Sequence, residues 1–292
     1  MPLRTHDFLA FVRLSRPVNL LITAAAFSLA ALLSAGNRHF LQDALFWAEL
    51  GLVLCITAGG YWINDVFDRR IDRINKPGRV VVSNLISAKK VFTGYFVLTS
   101  AAVIASFSLV PTALTAVNLV AVWLLYMYSQ VFKRTAVIGN LLISLLTALV
   151  IFAGAYLYHP YRFSIIWAMV FAFLITFIRE VTKDIEDVKG DLQYKLRTLP
   201  ILIGIRNSKK VLIVSYAVLF VAASLPWVVN LLLWNEFLYV YFTLSIFFIQ
   251  LPLVGLGWLT LYAYSTKNFR KLSQLQKLLM LTGMLSLLSL LK

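Results

Sequence analysis

The feature that most constrains this chain is a succession of apolar runs, separated by short stretches into which almost all of the charge is gathered. Nine runs stand out: Val18–Ala35, Ala44–Ile63, Val91–Val110, Thr112–Val131, Val137–Tyr158, Phe163–Ile178, Val211–Trp234, Phe237–Tyr264 and Leu275–Leu291. About 20 apolar residues in a helix cross the hydrocarbon of a bilayer, so each is long enough or nearly so. Inside lipid the backbone must satisfy its own hydrogen bonds, which makes helices the expected form. With 61% hydrophobic and only 13% charged residues, the 292-residue chain reads as an all-α, polytopic membrane helical bundle, a single transmembrane domain over residues 1–292.

The formal charge of +15 belongs to the topology. With the N-terminus on the cytoplasmic side, every Lys and Arg except Arg38, Arg162 and Lys292 falls in an inner loop or at an inner helix end. This places a multi-pass protein in the cell membrane with its C-terminus outside, and membrane lipids rather than nucleic acid as its charged partners. Arg13 and Arg16 precede the first run and Ser34-Ala35-Gly36 follows it, but that run is longer than the core of a secretory signal, so a retained span is expected. The single Cys55 excludes an internal disulfide and any cysteine-built metal site.

Two inner stretches interrupt this pattern with acid. In Tyr61–Arg79, Asn64, Asp68 and Asp72 are spaced i, i+4 and i+8, so a continuing helix would show three oxygen-bearing side chains on roughly one face. In Arg179–Arg197, Asp184, Asp187 and Asp191 repeat the offsets of Asp65, Asp68 and Asp72. Carboxylates gathered beside a membrane repel one another unless cations neutralise them, and Mg²⁺ prefers oxygen ligands that it shares with substrate phosphates. Asn64, Asp68, Asp72, Asp187 and Asp191 are the expected ligands. Asp65 and Asp184 rank below them, because successive helical positions turn by about 100° and not every carboxylate can face inward.

Basic residues follow each stretch. Arg79 and Arg197 lie six or seven positions after the last Asp and are expected at a phosphate, whereas Arg69, Arg70 and Arg73 point to several helix faces and suit neighbouring carboxylates or lipid headgroups. Lys133 and Arg134, taken alone, read as an inner-loop anchor. A diphosphate held by metal and base becomes a leaving group, and if its carbon is allylic a carbocation results. Tyr61, Trp62, Tyr126 and Tyr128 lie close in sequence and offer ring faces for such a cation. No histidine base is apparent, since His39 and His159 map to the outer face and His6 precedes the first span. A cation transporter is the alternative from another class, because acidic residues at spans also build ion pathways.

The stretch Asn64–Asp72 resembles the Asn-Asp-x-x-Asp-x-x-x-Asp hallmark of the UbiA superfamily of intramembrane prenyltransferases, and Asp187–Asp191 its second Asp-x-x-x-Asp. The likeness extends to Arg16-Pro17-Val18-Asn19, Ile74-Asn75-Lys76-Pro77 and Lys133-Arg134 followed by Gly139-Asn140. It implies nine helices around a central cavity, Mg²⁺ between the two Asp stretches, an isoprenyl diphosphate donor and an opening to lipid. It also brings Lys133, Arg134, Tyr128 and Arg16 to the diphosphate beside Arg79 and Arg197, with Asp68, Asp72, Asp187 and Asp191 as the catalytic carboxylates. Within the superfamily, Arg179–Asp191 and Arg197-Thr198-Leu199-Pro200 are most similar to the members that use geranylgeranyl diphosphate to alkylate the glycerol hydroxyl of geranylgeranylglyceryl phosphate. An aromatic acceptor such as 4-hydroxybenzoate is the alternative. One departure is Arg79-Val80-Val81-Val82-Ser83-Asn84, where the superfamily often has Arg-Pro-Ile-Pro-Ser-Gly, a change expected to reshape the loop over the site and to bear on the acceptor, not the metals.

Overall fold

The structure is a computed structural model describing residues 5–160 and 162–291. Among the described residues there are helices and connecting loops but no sheet. α1 (Thr5–Leu14) precedes the first span, α2 (Pro17–Ala35), and α3 (Ala44–Asp68) is followed after a turn by the short α4 (Asp72–Asn75). Then come α5 (Ala88–Leu109), α6 (Thr112–Gln130), α7 (Ile138–Tyr156), α8 (Phe163–Glu186), the short α9 (Val188–Gln193) and α10 (Leu199–Trp234). α11 (Tyr239–Ser245) and α12 (Leu251–Leu261) are joined by a π-helical turn into one crossing, and α13 (Thr266–Leu288) closes the bundle.

Among the described residues, eight helical segments are long and apolar enough to cross a membrane. The ninth apolar run lies in α13, whose first half carries Lys267, Arg270, Lys271 and Lys277, so the helix starts earlier than its apolar half and its mean hydropathy falls. The helix ends follow local chemistry. Asp43 accepts from the Leu45 N–H at 2.9 Å to cap α3, Ser265 and Asn268 form a capping box on α13, and Gly36, with a φ of 76°, ends α2 by donating its N–H to Leu32.

Without a hydrophobic drive between helices in lipid, close approach of small residues holds the bundle. At Gly154 of α7 a Cβ would lie 2.4 Å from the Phe27 carbonyl of α2, so that crossing requires glycine. α8 is the central column: Ile165, Ala168, Ile175, Ile178 and Ile185 are buried against α2, α7, α10 and α13. The polar ends of α3 and α8 emerge on the same end of the bundle, which brings both acidic stretches to the mouth of the space between α2, α3, α7 and α8.

Candidate active site

A cavity of about 330 Å³ runs into the bundle from that end. Its deeper wall is apolar, with Ile56, Leu146, Ile151, Phe171, Met280 and Met284 along it. Its mouth is charged: Asn64, Asp68, Asp72, Asp184 and Asp187 line it together with Arg16, Tyr61, Tyr128 and Lys133. The helix of α3 ends at Asp68, yet Arg69 and Ile71 keep right-handed helical dihedrals, so Asp72 still reaches the face set by Asn64 and Asp68.

Nearly every carboxylate at the mouth has a partner from a distant segment. Lys133 pairs with Asp68, Lys76 with Asp187 at 2.6 Å, and Arg16 with Asp65 at 2.5 Å. Asn140 donates to Asp184 at 2.8 Å, a neutral partner where the others are charged. Arg16 sits in the left-handed backbone region (φ 51°), a conformation that costs about 1 kcal/mol or more, and its guanidinium also lies 4.8 Å from the centre of the Tyr61 ring. The Asn75 side chain accepts from the Gly190 N–H at 2.8 Å, so α4 and α9 clasp each other directly.

Electrostatics follow from this crowding. Burial, with the charge of Asp68 adding to it, pushes the Asp72 carboxyl up to about 6. Burial likewise raises Asp191 to about 7, with Asp187 contributing. Burial works against the Lys133 ammonium, but the Asp68 carboxylate holds it well above its ordinary value. A mouth that raises carboxyl pKa values while surrounding them with cations is short of positive charge at its centre.

Two atoms show where such charge fits. Asn64 Oδ1 and Asp187 Oδ1 are buried without a hydrogen-bond partner, and both residues line the cavity. Among the described residues no group of three or more His, Cys, Asp or Glu converges tightly enough to enclose a metal alone. An oxygen-rich mouth of this kind suits a hard cation that takes one or two carboxylates and fills its other positions with water and phosphate oxygens.

The remaining expected residues fall elsewhere. Asp191 is buried but off the cavity wall, and Asp65, half-buried behind Arg16, is off it too. Arg134 lines a separate cleft on another side of α3, and Arg197 is exposed, its backbone N–H donating to the Arg134 carbonyl at 3.0 Å. The side chain of Arg79 lies outside the described residues. Trp62 packs on Phe11 and donates to Ser15, and Tyr126 meets Tyr95 and Phe67, so of the four aromatics only Tyr61 and Tyr128 face the cavity. In the divergent loop, Val82 and Ile86 form a tight turn buried against α1 and the start of α5, away from the cavity mouth.

The cavity wall includes Arg179 and Glu180 on α8 and Lys277 from α13, which the sequence did not place at the site, together with Lys76 and Lys183, bases that accompany the acidic stretches. Lys277 donates to Asn19 at 2.5 Å and Lys183 to Glu180 at 2.5 Å. Lys277 is the last basic residue of the helix before its apolar half, where a lysine facing the bundle requires a polar neighbour.

The chain matches the UbiA prenyltransferase family over residues 20–281. It is 33% identical over 226 residues to the digeranylgeranylglyceryl phosphate synthase of Halobacterium salinarum, covering 76% of this chain and 79% of that one. To the enzyme of the same name from Saccharolobus solfataricus it is 36% identical over 200 residues, 65% of this chain and 71% of the other. In three dimensions it superposes on a solved digeranylgeranylglyceryl phosphate synthase with a TM-score of 0.70 at 23% identity, covering 96% of this chain and 97% of that one. A UbiA homologue from Archaeoglobus fulgidus bound to GPP and Mg²⁺ superposes with a TM-score of 0.66 at 16% identity, over 95% and 99% of the two chains. Helical bundle, carboxylate-lined mouth and apolar cavity thus define an intramembrane enzyme, and the chain belongs to the UbiA prenyltransferase family. It is an integral membrane prenyltransferase, which replaces the ion-pathway alternative.

Proposed function

We propose that the chain transfers a geranylgeranyl group from geranylgeranyl diphosphate to the glycerol hydroxyl of geranylgeranylglyceryl phosphate, with Mg²⁺, at the cytoplasmic side of the cell membrane. The observation that carries this reading is the joining of an apolar cavity to a mouth where two acidic stretches and several cations meet. It is supported by relatives at 32–36% identity named for that synthase activity, and by the family neighbour solved with GPP and Mg²⁺.

Asn64, Asp68, Asp72 and Asp187 are the residues that would hold Mg²⁺, with Asp184 beside them on the cavity wall bound by Asn140, Asp191 buried nearby and Asp65 behind Arg16. When bound, the metal supplies positive charge that neutralises diphosphate oxygens. Lys133, Lys76 and Arg16 stand at the mouth, paired with Asp68, Asp187 and Asp65, and would donate to the same anion. The apolar wall from Ile56 to Met284 takes the prenyl chain and excludes water. The bond from the allylic carbon to the diphosphate oxygen breaks with its electron pair leaving on the diphosphate. Tyr61 and Tyr128 offer ring faces to the resulting cation. The glycerol hydroxyl oxygen then bonds to that carbon and its proton passes to a carboxylate or phosphate oxygen.

A competition assay tests the acceptor. Purified protein given geranylgeranyl diphosphate with equal amounts of geranylgeranylglyceryl phosphate and 4-hydroxybenzoate should prenylate the lipid phosphate. Prenylation of the aromatic acid instead would overturn the acceptor while leaving the reaction class intact.

A further inference from the structure

On the other side of α3 lies a second concavity. Phe67, Arg70 and Ile71 project from the helix end away from Asn64, Asp68 and Asp72, and they wall a cleft of about 690 Å³ at the same end of the bundle. Among the described residues five cations line it, Arg69, Arg70, Lys89, Arg134 and Lys195, and no carboxylate does. Among the described residues none of the five is in an ion pair; they share this with other basic residues of the same end, such as Arg73 and Lys189, but the five are gathered around one cleft. The positive-inside pattern accounts for basic residues at this end, but not for five of them converging on one walled cleft with no carboxylate in its lining.

Local structure gathers them. The Arg197 N–H donates to the Arg134 carbonyl at 3.0 Å and Thr135 bridges to Arg197, which ties two distant segments so that Arg134 and Lys195 reach one cleft. Lys195 is held at a φ of 54°, a backbone region that favours glycine, and such strain concentrates at functional positions. Lys89 sits in the first turn of α5, which holds no acidic residue, so its charge adds to the positive end of the helix dipole instead of opposing it. That arrangement is unfavourable alone and favourable around an anion. On the lipid side Phe92 walls the cleft and Phe96 follows one turn along α5, the two rings 4.9 Å apart and both exposed.

We propose that this cleft binds the phosphate of an anionic membrane lipid, whose tail lies along Phe92 and Phe96. The site is separate from the diphosphate mouth, since α3 stands between them, and it does not depend on the acceptor assigned above. Basic pockets on the inner side of a membrane protein recognise lipid phosphates in this way.

The full-length protein in detergent, titrated with phosphatidic acid and with phosphatidylcholine of the same chain length and followed by native mass spectrometry, reads the site directly. The protein should retain phosphatidic acid about tenfold more strongly than the zwitterionic lipid. Combining Arg70→Gln with Lys195→Gly should erase that preference without lowering the melting temperature, because glycine suits the backbone at position 195. Lys89→Gln is the second variant and should weaken it in part. Undiminished binding of phosphatidic acid in the double variant would overturn the proposal. So would its loss in Asp68→Asn, which would put the lipid in the central cavity, or its displacement by equimolar inorganic phosphate, which would make the ligand a free anion.

Discussion

The two acidic stretches share their spacing and differ in their company. At the first position of the triplet, Asp65 faces the charged Arg16 and Asp184 the neutral Asn140. At the second, Asp68 and Asp187 each hold a lysine, Lys133 and Lys76. At the third, Asp72 and Asp191 are both raised by burial and their neighbours' charge. Equivalence is therefore strongest at the middle position and weakest at the first. Of the middle pair, Asp68 and Asp187 also line the cavity, and Asp187 keeps an unpartnered buried oxygen. Sequence repetition produced two halves of one mouth, and tertiary packing assigned them different loads.

The largest effect is expected where the halves are most alike. Asp68→Asn and Asp187→Asn should each lower transfer of a radiolabelled prenyl group by about a hundredfold or more, since each removes a charge from the proposed metal site. Comparable losses in both, with an unchanged melting profile, would support the shared site. Retained activity in both would break the metal model. A loss in only one would show that the two stretches are not equivalent even at the middle position.

How much of this was legible in the residues depends on the range of the interaction. The apolar runs and the spacing of Asn64, Asp68 and Asp72 are local and could be read directly. The inner ends of the spans blurred because charge entered the helices: α8 continues through Lys183 and Asp184 to Glu186, and α13 begins at Thr266 inside what reads as loop. The pairings could not be read. Lys76 meets Asp187 across 111 positions and Lys133 meets Asp68 across 65, and nothing in local periodicity selects those lysines from the other basic residues of the inner loops. Arg134 shows the same limit, since it adjoins Lys133 in sequence yet faces a different cleft.

A smaller effect is expected where the halves touch. A Cβ on Gly190 would stand 2.5 Å from the Asn75 side-chain nitrogen, so Gly190→Ala must push that amide away and stretch its bond to the Gly190 N–H. Overpacking of this kind costs about 1–3 kcal/mol. Displacing α4 against α9 should also misplace the Lys76–Asp187 pair and slow transfer about tenfold. Adding Asn75→Ala to Gly190→Ala removes the clashing group, and the double variant should regain thermal stability relative to Gly190→Ala alone. If the second substitution adds its own loss in full, steric contact at the clasp is not the cause.

The first positions of the two triplets separate the halves most finely. In Asp65→Asn the Arg16 guanidinium loses its carboxylate while its backbone stays in the left-handed conformation, so one cation at the mouth is left without its partner. In Asp184→Asn the partner is the amide of Asn140, which can turn to offer oxygen where it had offered nitrogen, and no charge is stranded. Asp65→Asn should therefore raise KM for the prenyl diphosphate by about fivefold to tenfold, and Asp184→Asn by about twofold or less, with kcat the more weakly affected in both. Steady-state kinetics at saturating Mg²⁺ measure this difference. If Asp184→Asn proves as damaging as Asp187→Asn, and if raising the metal concentration restores its rate, Asp184 is itself a ligand and the second stretch carries more of the metal than Asp187 alone supplies.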